Sequence, residues 1–401
     1  MQYDFNFYSS LLLITFSQGI VYSVLILIKA IRNENKSNYW LSIFVFLCSL
    51  FIAPWMLGFA GWYDHQPYRN FMFYVPFQQL FFIGPILFFY VQSLLNISFK
   101  VTKKQFLHLT PGVLYLIYIF GIFISDKFIF AKPFFYADGM DKDFDSWYQY
   151  LGFISMFIYL ILSIKYYSNY RKLIVQITSN ADAVLFHWIK KYLYAFLAMI
   201  LLKVFAEILF TIFPEYTNYV GAWWFYLLFS IILFYVAITG YSNGIETKIG
   251  FEMSVFDEKF ALIFNENLQE NNNKISVENQ EFKLENSKEI NLWKSKIEQV
   301  IQSEKLYENP ELSLTEIAKK LDSNTNIISR AINQGFGMNF NDFINNYRIE
   351  AVKIKFENNE HKKSTLLGIA YDCGFNSKAT FNRAFKKNTN FTPKEFLEQS
   401  K

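Results

Sequence analysis

The sequence is poor in cysteine and in charge, and both shortages narrow what the protein can be. Only two cysteines occur among the 401 residues, Cys48 and Cys373, and they lie far apart. That number and spacing argue against a disulfide framework and against a cysteine-based metal site. Charged residues make up 18% of the chain, whereas an average soluble globular protein has about a quarter. The net charge of +4 does not by itself indicate a nucleic-acid partner.

Catalytic motifs are missing as well. The sequence contains no G-x-S-x-G, no H-E-x-x-H and no paired Asp within its apolar segments, which are the usual signs of hydrolytic sites. The stretch GFGMNF, residues 335–340, lacks the third glycine and the preceding strand of a phosphate-binding loop. We therefore predict that the chain is not an enzyme and that it uses neither a cofactor nor a metal ion.

Apolar and aromatic residues are abundant, at 53% and 20% of the chain. Seven segments are long enough to cross a bilayer, which needs roughly 20 mostly apolar residues. They cover residues 8–28, 39–61, 71–95, 106–125, 147–167, 192–213 and 219–240. These segments have no polar faces that could cover them in a soluble protein. The sequence thus predicts a seven-helix transmembrane bundle within residues 1–242.

Basic residues are concentrated in the first, third and fifth connections between these segments. Loops of membrane proteins on the cytoplasmic side carry an excess of Lys and Arg. The amino terminus is therefore predicted to lie outside. Seven crossings then place the residues after the last span in the cytoplasm.

Five polar residues within the predicted spans are candidates for a ligand site, because an unpaired polar group in lipid costs several kcal/mol. They are Gln18, Gln78, Gln79, Lys203 and Glu207. Lys203 and Glu207 lie one helical turn apart and could simply pair with each other. Prolines 76 and 85 flank the glutamine pair and could break its helix locally. A pocket for a small ligand and a purely structural polar network both remain open.

Residues 243–290 are rich in Asn, Glu and Lys and contain few apolar groups. This composition is typical of a linker. The one exception is VFDEKFALIF, residues 255–264, whose apolar residues have helical spacing. We expect a mobile tether. Its short helical stretch could pack on the membrane domain, pair with a second copy of the chain or lie at the bilayer surface, and the sequence alone does not choose among these.

The remaining domain, residues 291–401, repeats one pattern. Ile317–Ile332 (IAKKLDSNTNIISRAI) and Ile369–Phe385 (IAYDCGFNSKATFNRAF) both start with Ile-Ala, pass a polar turn and end with Arg-Ala and a large apolar residue. Each predicts two helices packed around a tight turn, the helix-turn-helix motif. Ser313 and Glu316 form a capping box before the first unit. In the second unit Cys373 is a small core residue, and the glycine after it permits the turn.

An apolar helical pattern without Pro or Gly connects the two units over residues 339–358. A helix of some 17 residues is about 25 Å long. Major-groove segments on one face of DNA recur about every 34 Å. A stiff connecting helix could therefore hold the two units at a spacing that suits adjacent turns of DNA.

The tandem units, the connecting stretch FINNYRIEAVK and the final GFNSKATFNRAFKKNTNFTPKEF together resemble the AraC family of bacterial transcription regulators, over roughly residues 291–399. The resemblance implies that the second helix of each unit enters the major groove of DNA. It assigns base contacts in the first half-site to Asn326, Ser329 and Arg330, and in the second to Lys378, Thr380, Asn382 and Arg383. It assigns phosphate contacts to Lys386, Lys387 and Lys394.

The residue types suit this assignment, since Arg can bond guanine and Asn can bond adenine through two hydrogen bonds each. Gly368 departs from the family, which usually carries an acidic residue there, and a helical glycine costs about 1 kcal/mol. We expect a slightly weakened second unit that still binds DNA.

Taken together, the sequence predicts an all-α protein with a transmembrane bundle followed by a cytoplasmic tandem helix-turn-helix domain. The expected location is the bacterial inner membrane. The expected partners are double-stranded DNA, the lipid bilayer and an unknown small ligand or membrane signal, with a homodimer as an option. The predicted function is a membrane-anchored transcription regulator. A membrane transporter with a fused regulatory DNA-binding domain is the alternative.

Overall fold

The computed structural model describes residues 3–181, 187–213, 220–242, 250–253, 260–263 and 287–399. The chain divides into two compact units. The first contains Met1–Tyr167 and His187–Leu268, and the second contains Ser168–Phe186 and Gln269–Lys401. The sequence led us to expect residues 168–186 within the membrane domain, so their place in the second unit is a difference from the predicted boundaries.

Helices form almost all of the described part of the first unit. They are α1 (Phe7–Arg32), α2 (Lys36–Phe59), α3 (Tyr68–Tyr74), α4 (Leu80–Leu95), α5 (Lys103–Phe106), α6 (Thr110–Ile124), α7 (Ser146–Ile177), α8 (His187–Ile212) and α9 (Trp223–Ser242). Short 3-10 and π turns extend this set at Leu107–Leu109, Ser125–Ile129 and Lys142–Phe144. The final turns of α7, from Ser168 onward, belong to the second unit.

Six helices among the described residues are long and apolar enough to cross a membrane. The third predicted span, 71–95, is the exception, because it is split into α3 and the shorter α4. Residues 75–79 between them are not helical. Pro76 lies in this break, as predicted, whereas Pro85 lies inside α4 without interrupting it. A proline removes one backbone donor and clashes with the preceding turn, so a break beside Pro76 has a direct cause.

Small residues allow α1 and α2 to approach each other closely. The Ser23 hydroxyl donates to the Ser42 carbonyl oxygen at 3.0 Å, and the Ser42 hydroxyl donates to the Ser23 carbonyl oxygen at 2.8 Å. One turn away along α1, Gly19 lies against the side chain of Ser49. Such contacts are typical of helix pairs in membranes, where close backbone approach and polar contacts hold helices together.

The connector contains a short hairpin. Strands β1 (Gly250–Met253) and β2 (Phe260–Ile263) pair antiparallel, with Gly250 opposite Ile263. The helix predicted for residues 255–264 is therefore wrong over its last part. A short apolar run does not distinguish strand from helix by spacing alone, and here a second segment is available for pairing. The other residues of that prediction, 255–259 and 264, lie outside the described residues.

The described residues 287–399 of the second compact unit contain seven α-helices. They are α10 (Ser287–Ser303), α11 (Leu314–Lys320), α12 (Thr325–Phe336), α13 (Phe340–Glu357), α14 (Leu366–Asp372), α15 (Lys378–Thr389) and α16 (Pro393–Gln399), with 3-10 turns at Leu306–Glu308 and Glu360–Lys362. The all-α fold predicted from sequence is confirmed, with the connector hairpin as its one addition among the described residues.

Two hydrophobic cores fill this domain, one for each helix-turn-helix unit. The first contains residues from Ile297 to Ile344, and the second contains residues from Ile349 to Phe385. Helix α13 contributes to both, since its first half packs in one core and its second half in the other. The connecting helix predicted at 339–358 is thus present, and it is a structural member of each unit.

Local details follow the sequence with one correction. Gly374 has φ of +90°, the left-handed conformation predicted for the turn. Ser313 caps α11 by accepting from the Glu316 N–H at 3.3 Å. The reciprocal half of the predicted capping box is wrong, because the Glu316 carboxylate accepts from Asn309 Nδ2 at 3.3 Å instead.

Gly368 does not prevent α14 from forming. Its N–H donates to the Thr365 side-chain oxygen at 3.0 Å, so Thr365 caps the helix. A good cap contributes about 1 kcal/mol, which offsets the similar cost of a helical glycine.

Candidate nucleic-acid interface and membrane pocket

Helices α12 and α15 are the second helices of the two units, and both have clear start and stop signals. Asn324 caps α12 by accepting from the Ile327 N–H at 2.9 Å, and Ser377 caps α15 by accepting from the Thr380 N–H at 3.1 Å. Beyond their ends, Gly337 and Asn390 are left-handed, as is common where a helix terminates. Each helix is therefore fixed at both ends by local chemistry.

In α12 the inward and outward faces differ in composition. Ile328, Ala331 and Ile332 are buried in the first core. Asn326 is exposed, and Ser329 and Arg330 are half-buried. The residues predicted to contact bases in the first half-site therefore all retain some access to solvent.

Helix α15 presents a more basic face. Phe381 and Phe385 are buried in the second core. The exposed residues of this helix include five of the predicted DNA contacts: Lys378, Asn382, Arg383, Lys386 and Lys387. Amide and guanidinium groups on one exposed helix are the groups that read base edges in a major groove.

Thr380 does not belong to this face. Its side chain is only 2% exposed, and its hydroxyl is hydrogen-bonded to the Ser377 hydroxyl at 2.8 Å. A residue at the third position of a capped helix is drawn back toward the cap, which the family resemblance alone does not indicate. The predicted base contact of Thr380 is thus contradicted by its burial.

Two of the lysines predicted to contact phosphate already have acidic partners within the domain. Lys387 Nζ lies 2.7 Å from an Asp342 carboxylate oxygen, with 67% of the lysine side chain exposed. Lys394 Nζ lies 3.8 Å from a Glu398 carboxylate oxygen. A phosphate would therefore compete with these carboxylates, whereas exposed surface ion pairs of this kind are weak.

A cavity of about 220 Å³ lies within the first unit, among helices α2, α7, α8 and α9 and the turn before α7. Half of its lining residues are aromatic, and its polar groups include Gln149, Lys203 and Glu207; the other lining residues are Trp55, Phe144, Ser146, Tyr150, Ala206, Phe210, Ala222, Phe225 and Tyr226. Lys203 Nζ and the Glu207 carboxylate are 2.6 Å apart. The predicted pairing within α8 is present, and the pair lines a cavity.

The five polar candidates from the predicted spans are not one cluster. Gln78 is fully buried and reaches the cavity through Gln149, whose Nε2 donates to Gln78 Oε1 at 2.5 Å. Gln79 donates instead to the Pro76 carbonyl oxygen at 2.5 Å. Gln18, on α1, and Gln79 are absent from the cavity walls. The five candidates therefore do not all line this one cavity.

Two buried aspartates beside Gln78 were missed by sequence reasoning. Asp143 accepts from the Gln78 N–H at 2.9 Å and from the Tyr115 hydroxyl at 2.7 Å. Asp141 accepts from the Tyr63 hydroxyl at 2.6 Å. Burial raises the pKa of both carboxyls, and repulsion from Asp141 raises that of Asp143 further. Both residues lie in the connection before α7, which the sequence presents only as an acidic loop.

The carboxy-terminal helix-turn-helix domain is similar in sequence to known proteins. Residues 317–399 match the family described as "Helix-turn-helix domain". Two uncharacterized HTH-type transcriptional regulators, from Staphylococcus aureus strains COL and MSSA476, are each 32% identical over 101 residues, covering 25% of this chain and 13% of the relative. The chain thus matches only about an eighth of the length of these curated relatives. No solved structure matches the chain.

These matches agree with the two helix-turn-helix units that the structure shows in the carboxy-terminal domain. The carboxy-terminal domain is a tandem helix-turn-helix domain, and the AraC-type resemblance is confirmed for it. Over the rest of the chain, the apolar helices are those of a membrane-associated protein.

Proposed function

We propose that this protein is a membrane-anchored transcription regulator whose helix-turn-helix domain binds specific DNA sequences from the cytoplasmic side of a bacterial inner membrane. The observation that carries this proposal is the exposed polar face of α15, with Asn382 and Arg383 opposite the buried Phe381 and Phe385. Its counterpart on α12 has Asn326 exposed.

The spacing of the two faces supports binding to adjacent grooves. Helix α13 has 18 residues, which corresponds to about 27 Å of helix. Because α13 packs in both cores, the two units cannot separate without loss of core contacts. A pair of second helices held in this way can contact successive major-groove segments, which recur about every 34 Å.

Membrane anchoring is supported by the six long apolar helices. The orientation is inferred from the Lys and Arg residues in the odd-numbered connections, which favour the cytoplasmic side. With the split third segment, α3 and the apolar α4, as a seventh crossing, the amino terminus is then outside and the DNA-binding domain is inside. A bundle that confines two copies to one membrane would also raise their local concentration, which favours paired binding to DNA.

The cavity lined by Lys203 and Glu207 is the candidate site for the stimulus. It joins two opposite charges to six aromatic side chains, which include Trp55 and Tyr226. Lys203 lies 5.5 and 5.6 Å from two aromatic ring centroids, so its charge is stabilised by ring faces as well as by Glu207. A small molecule with an apolar body and a charged or zwitterionic end fits this chemistry.

The proposal is tested with the full chain in lipid nanodiscs and duplexes from the region upstream of its own gene. Arg383→Ala and Arg330→Ala should each weaken binding to the preferred duplex, because loss of a bidentate base contact costs about 1–3 kcal/mol. They should weaken binding to unrelated duplexes much less. The matched control is Lys363→Ala, which removes an exposed positive charge outside α12 and α15.

Two results would contradict the proposal. One is an unchanged preference for the selected duplex in both arginine variants. The other concerns topology: a tag after residue 401 should be inaccessible to an impermeant reagent in intact cells, and labelling of that tag from outside would exclude a cytoplasmic domain.

A further inference from the structure

The connection that follows α7 contacts the helix-turn-helix domain within the second unit. Thr178 and Ser313 form an isolated antiparallel bridge, and the Ser179 N–H donates to the Leu312 carbonyl oxygen at 3.0 Å. Ser179 is fully buried. We refer to residues 178–180 as the docking segment. It follows directly after the last residue of α7, a helix of 32 residues that is also a candidate membrane span.

Arg348 of α13 is the main partner of this segment. Its Nη1 donates to the Ser179 carbonyl oxygen at 3.2 Å, and its Nη2 donates to the Ser179 hydroxyl at 2.9 Å. The other hydrogen bonds run from Nε to the Tyr307 carbonyl at 2.8 Å, from Nη1 to Asn345 Oδ1 at 3.2 Å and from Nη2 to the Asn309 carbonyl at 2.7 Å. A guanidinium has five N–H donors, so every donor is used, and Ser179 takes two of them.

Two asparagines on the same face of α13 complete the contact. Asn341 Nδ2 donates to the Ser179 carbonyl oxygen at 2.9 Å, and Asn345 Nδ2 donates to Asn341 Oδ1 at 3.1 Å. Asn341, Asn345 and Arg348 are spaced four and three residues apart, which places them on one side of a helix. All three are buried, so they form a polar recognition surface inside the domain.

Arg348 also lies where the two helix-turn-helix units meet. It separates Ile344 of the first core from Ile349 of the second. Its guanidinium is 5.8 Å from the ring centroid of Phe375, in the second unit. A Cβ atom on Gly374 would lie 3.0 Å from Arg348 Nε. The Arg348 side chain therefore touches both helix-turn-helix units and the docking segment.

Losing only some of the hydrogen bonds of Arg348 would be energetically unfavourable. Arg348 is only 2% exposed. Burial lowers its pKa to about 10, so the group stays charged at neutral pH. A buried cation that loses acceptors is strongly unfavourable. If the docking segment moved away, the guanidinium would have to find water, and the packing between the two units around it would have to change.

We propose that the docking segment is the element through which the membrane domain controls the helix-turn-helix domain: when docked on Arg348, it holds the two units in the mutual orientation that binds DNA. Displacement of the end of α7 withdraws Ser179 and loosens that orientation. This inference rests on the proposed DNA-binding function, and its contact with Arg348 can be tested separately from it.

Docking itself is measured by cysteine accessibility in the full chain in nanodiscs. Ser179→Cys places a near-isosteric thiol at the contact, and Ser168→Cys places one on the exposed face of α7. The native Cys48 and Cys373 are both buried, so background labelling by N-ethylmaleimide is low. Cys at 179 should react at least about tenfold more slowly than Cys at 168, because only a buried thiol is shielded from the reagent. Equal rates would overturn the proposal.

Coupling is measured as affinity for the preferred duplex. Ser179→Arg puts a bulky cation against Arg348 and prevents docking, while Ser168→Arg makes the same change at an exposed position. We expect Ser179→Arg to weaken binding by about tenfold, within the usual range of coupling between sites, and Ser168→Arg to behave as wild type. Ser179→Ala, which removes only the hydroxyl acceptor, should give an intermediate loss.

The two failures are distinguishable. If the wild-type chain binds no duplex selectively, the proposed function fails and the coupling fails with it. If the wild-type chain binds selectively but Ser179→Arg binds as well as Ser168→Arg, or more tightly, only the coupling is contradicted. Variants of Arg348 are less informative, because this residue also holds Tyr307 and Asn309 within the domain.

Discussion

Gly374 and Tyr307 belong to different parts of the helix-turn-helix domain, yet a Cβ atom on Gly374 would overlap the carbonyl oxygen of Tyr307. The same atom would lie 2.9 Å from the Glu308 carbonyl oxygen. Two separate constraints therefore require glycine at this position. One is its φ of +90°, and the other is the close approach of the backbone of the first helix-turn-helix unit. No other residue type combines the two.

Gly374→Ala should therefore destabilise the second helix-turn-helix unit by about 3 kcal/mol, because backbone strain and overpacking act together. Hydrogen exchange of the amides in α14 and α15 in the full chain measures this local stability. The matched control is Gly337→Ala, which also has a positive φ but has no atom within 4 Å of the added Cβ. Strain alone should cost the control about 1 kcal/mol, and equal losses in the two variants would refute the role of close packing.

The reactivity of Cys373 should depend on pH differently from that of an exposed thiol. It is 1% exposed, and burial raises its pKa to about 11. The thiolate is the reactive form, so its labelling rate should keep rising with pH until about pH 11. Asn376→Cys introduces an exposed thiol nearby, whose rate should level off at its ordinary pKa, near 8.5–9. Rates for Cys373 that level off at the same pH would contradict its burial in the core.

The Lys203–Glu207 pair distinguishes a ligand site from a structural pair. Exchanging the two charges, as Lys203→Glu with Glu207→Lys, retains an ion pair on α8 but reverses the charges that face the cavity. We expect the thermal stability of the double variant in detergent to stay close to that of wild type. Its transcriptional response to the native stimulus should be lost, because the ligand meets reversed charges.

Single variants at these two positions serve as the control for that exchange. Lys203→Gln leaves the Glu207 carboxylate without its partner and should lower stability by more than the double variant does, since an unpaired charge near lipid is costly. A double variant that keeps a normal transcriptional response would show that the pair is structural and that the stimulus acts elsewhere.

Asp342 should limit the affinity of the domain for DNA of any sequence, because its carboxylate lies 2.7 Å from Lys387 Nζ. Asp342→Asn frees this lysine for phosphate and should steepen the dependence of log affinity on log salt by about one unit. Glu304→Gln removes the partner of Lys320, a pair at 2.5 Å outside α12 and α15, and should leave the slope unchanged. Equal slopes in the two variants would exclude Lys387 from the phosphate contacts.

Much of the helix-turn-helix domain could be predicted because its signals are local. The apolar spacing at 339–358 predicted a connecting helix, and the structure has α13 at Phe340–Glu357. The turn glycine and the Ser313 cap act through residues within one or two turns. Signals of this kind are present in any short window of the sequence.

Contacts between distant segments were not predictable in the same way. Ser179 and Arg348 are 169 residues apart, and nothing near either residue indicates the other. The signal that was present is the polar series Asn341, Asn345 and Arg348 along one side of α13, but polar residues on a helix usually indicate a solvated face. The burial of Thr380 was not predictable for a related reason, because it depends on how its side chain folds back toward the Ser377 cap.

The cavity also depends on tertiary structure. Its walls come from four helices, and only Lys203 and Glu207 were identified from the sequence. Gln18 and Gln79 have the same residue type as Gln78 and a similar depth, but neither lines the cavity. Depth along a span does not determine which side of a helix a residue occupies, and packing decides that.

The central claim is that two groove-reading helices are held at fixed spacing in a protein that stays in the membrane. The most direct test is selection from random duplex DNA with the full chain in nanodiscs. The expected result is an enriched sequence with two half-sites whose centres are about 10–11 base pairs apart, and with binding lost when the spacing is changed by half a turn. Recovery of no enriched sequence, or of one whose half-sites tolerate any spacing, would contradict the claim.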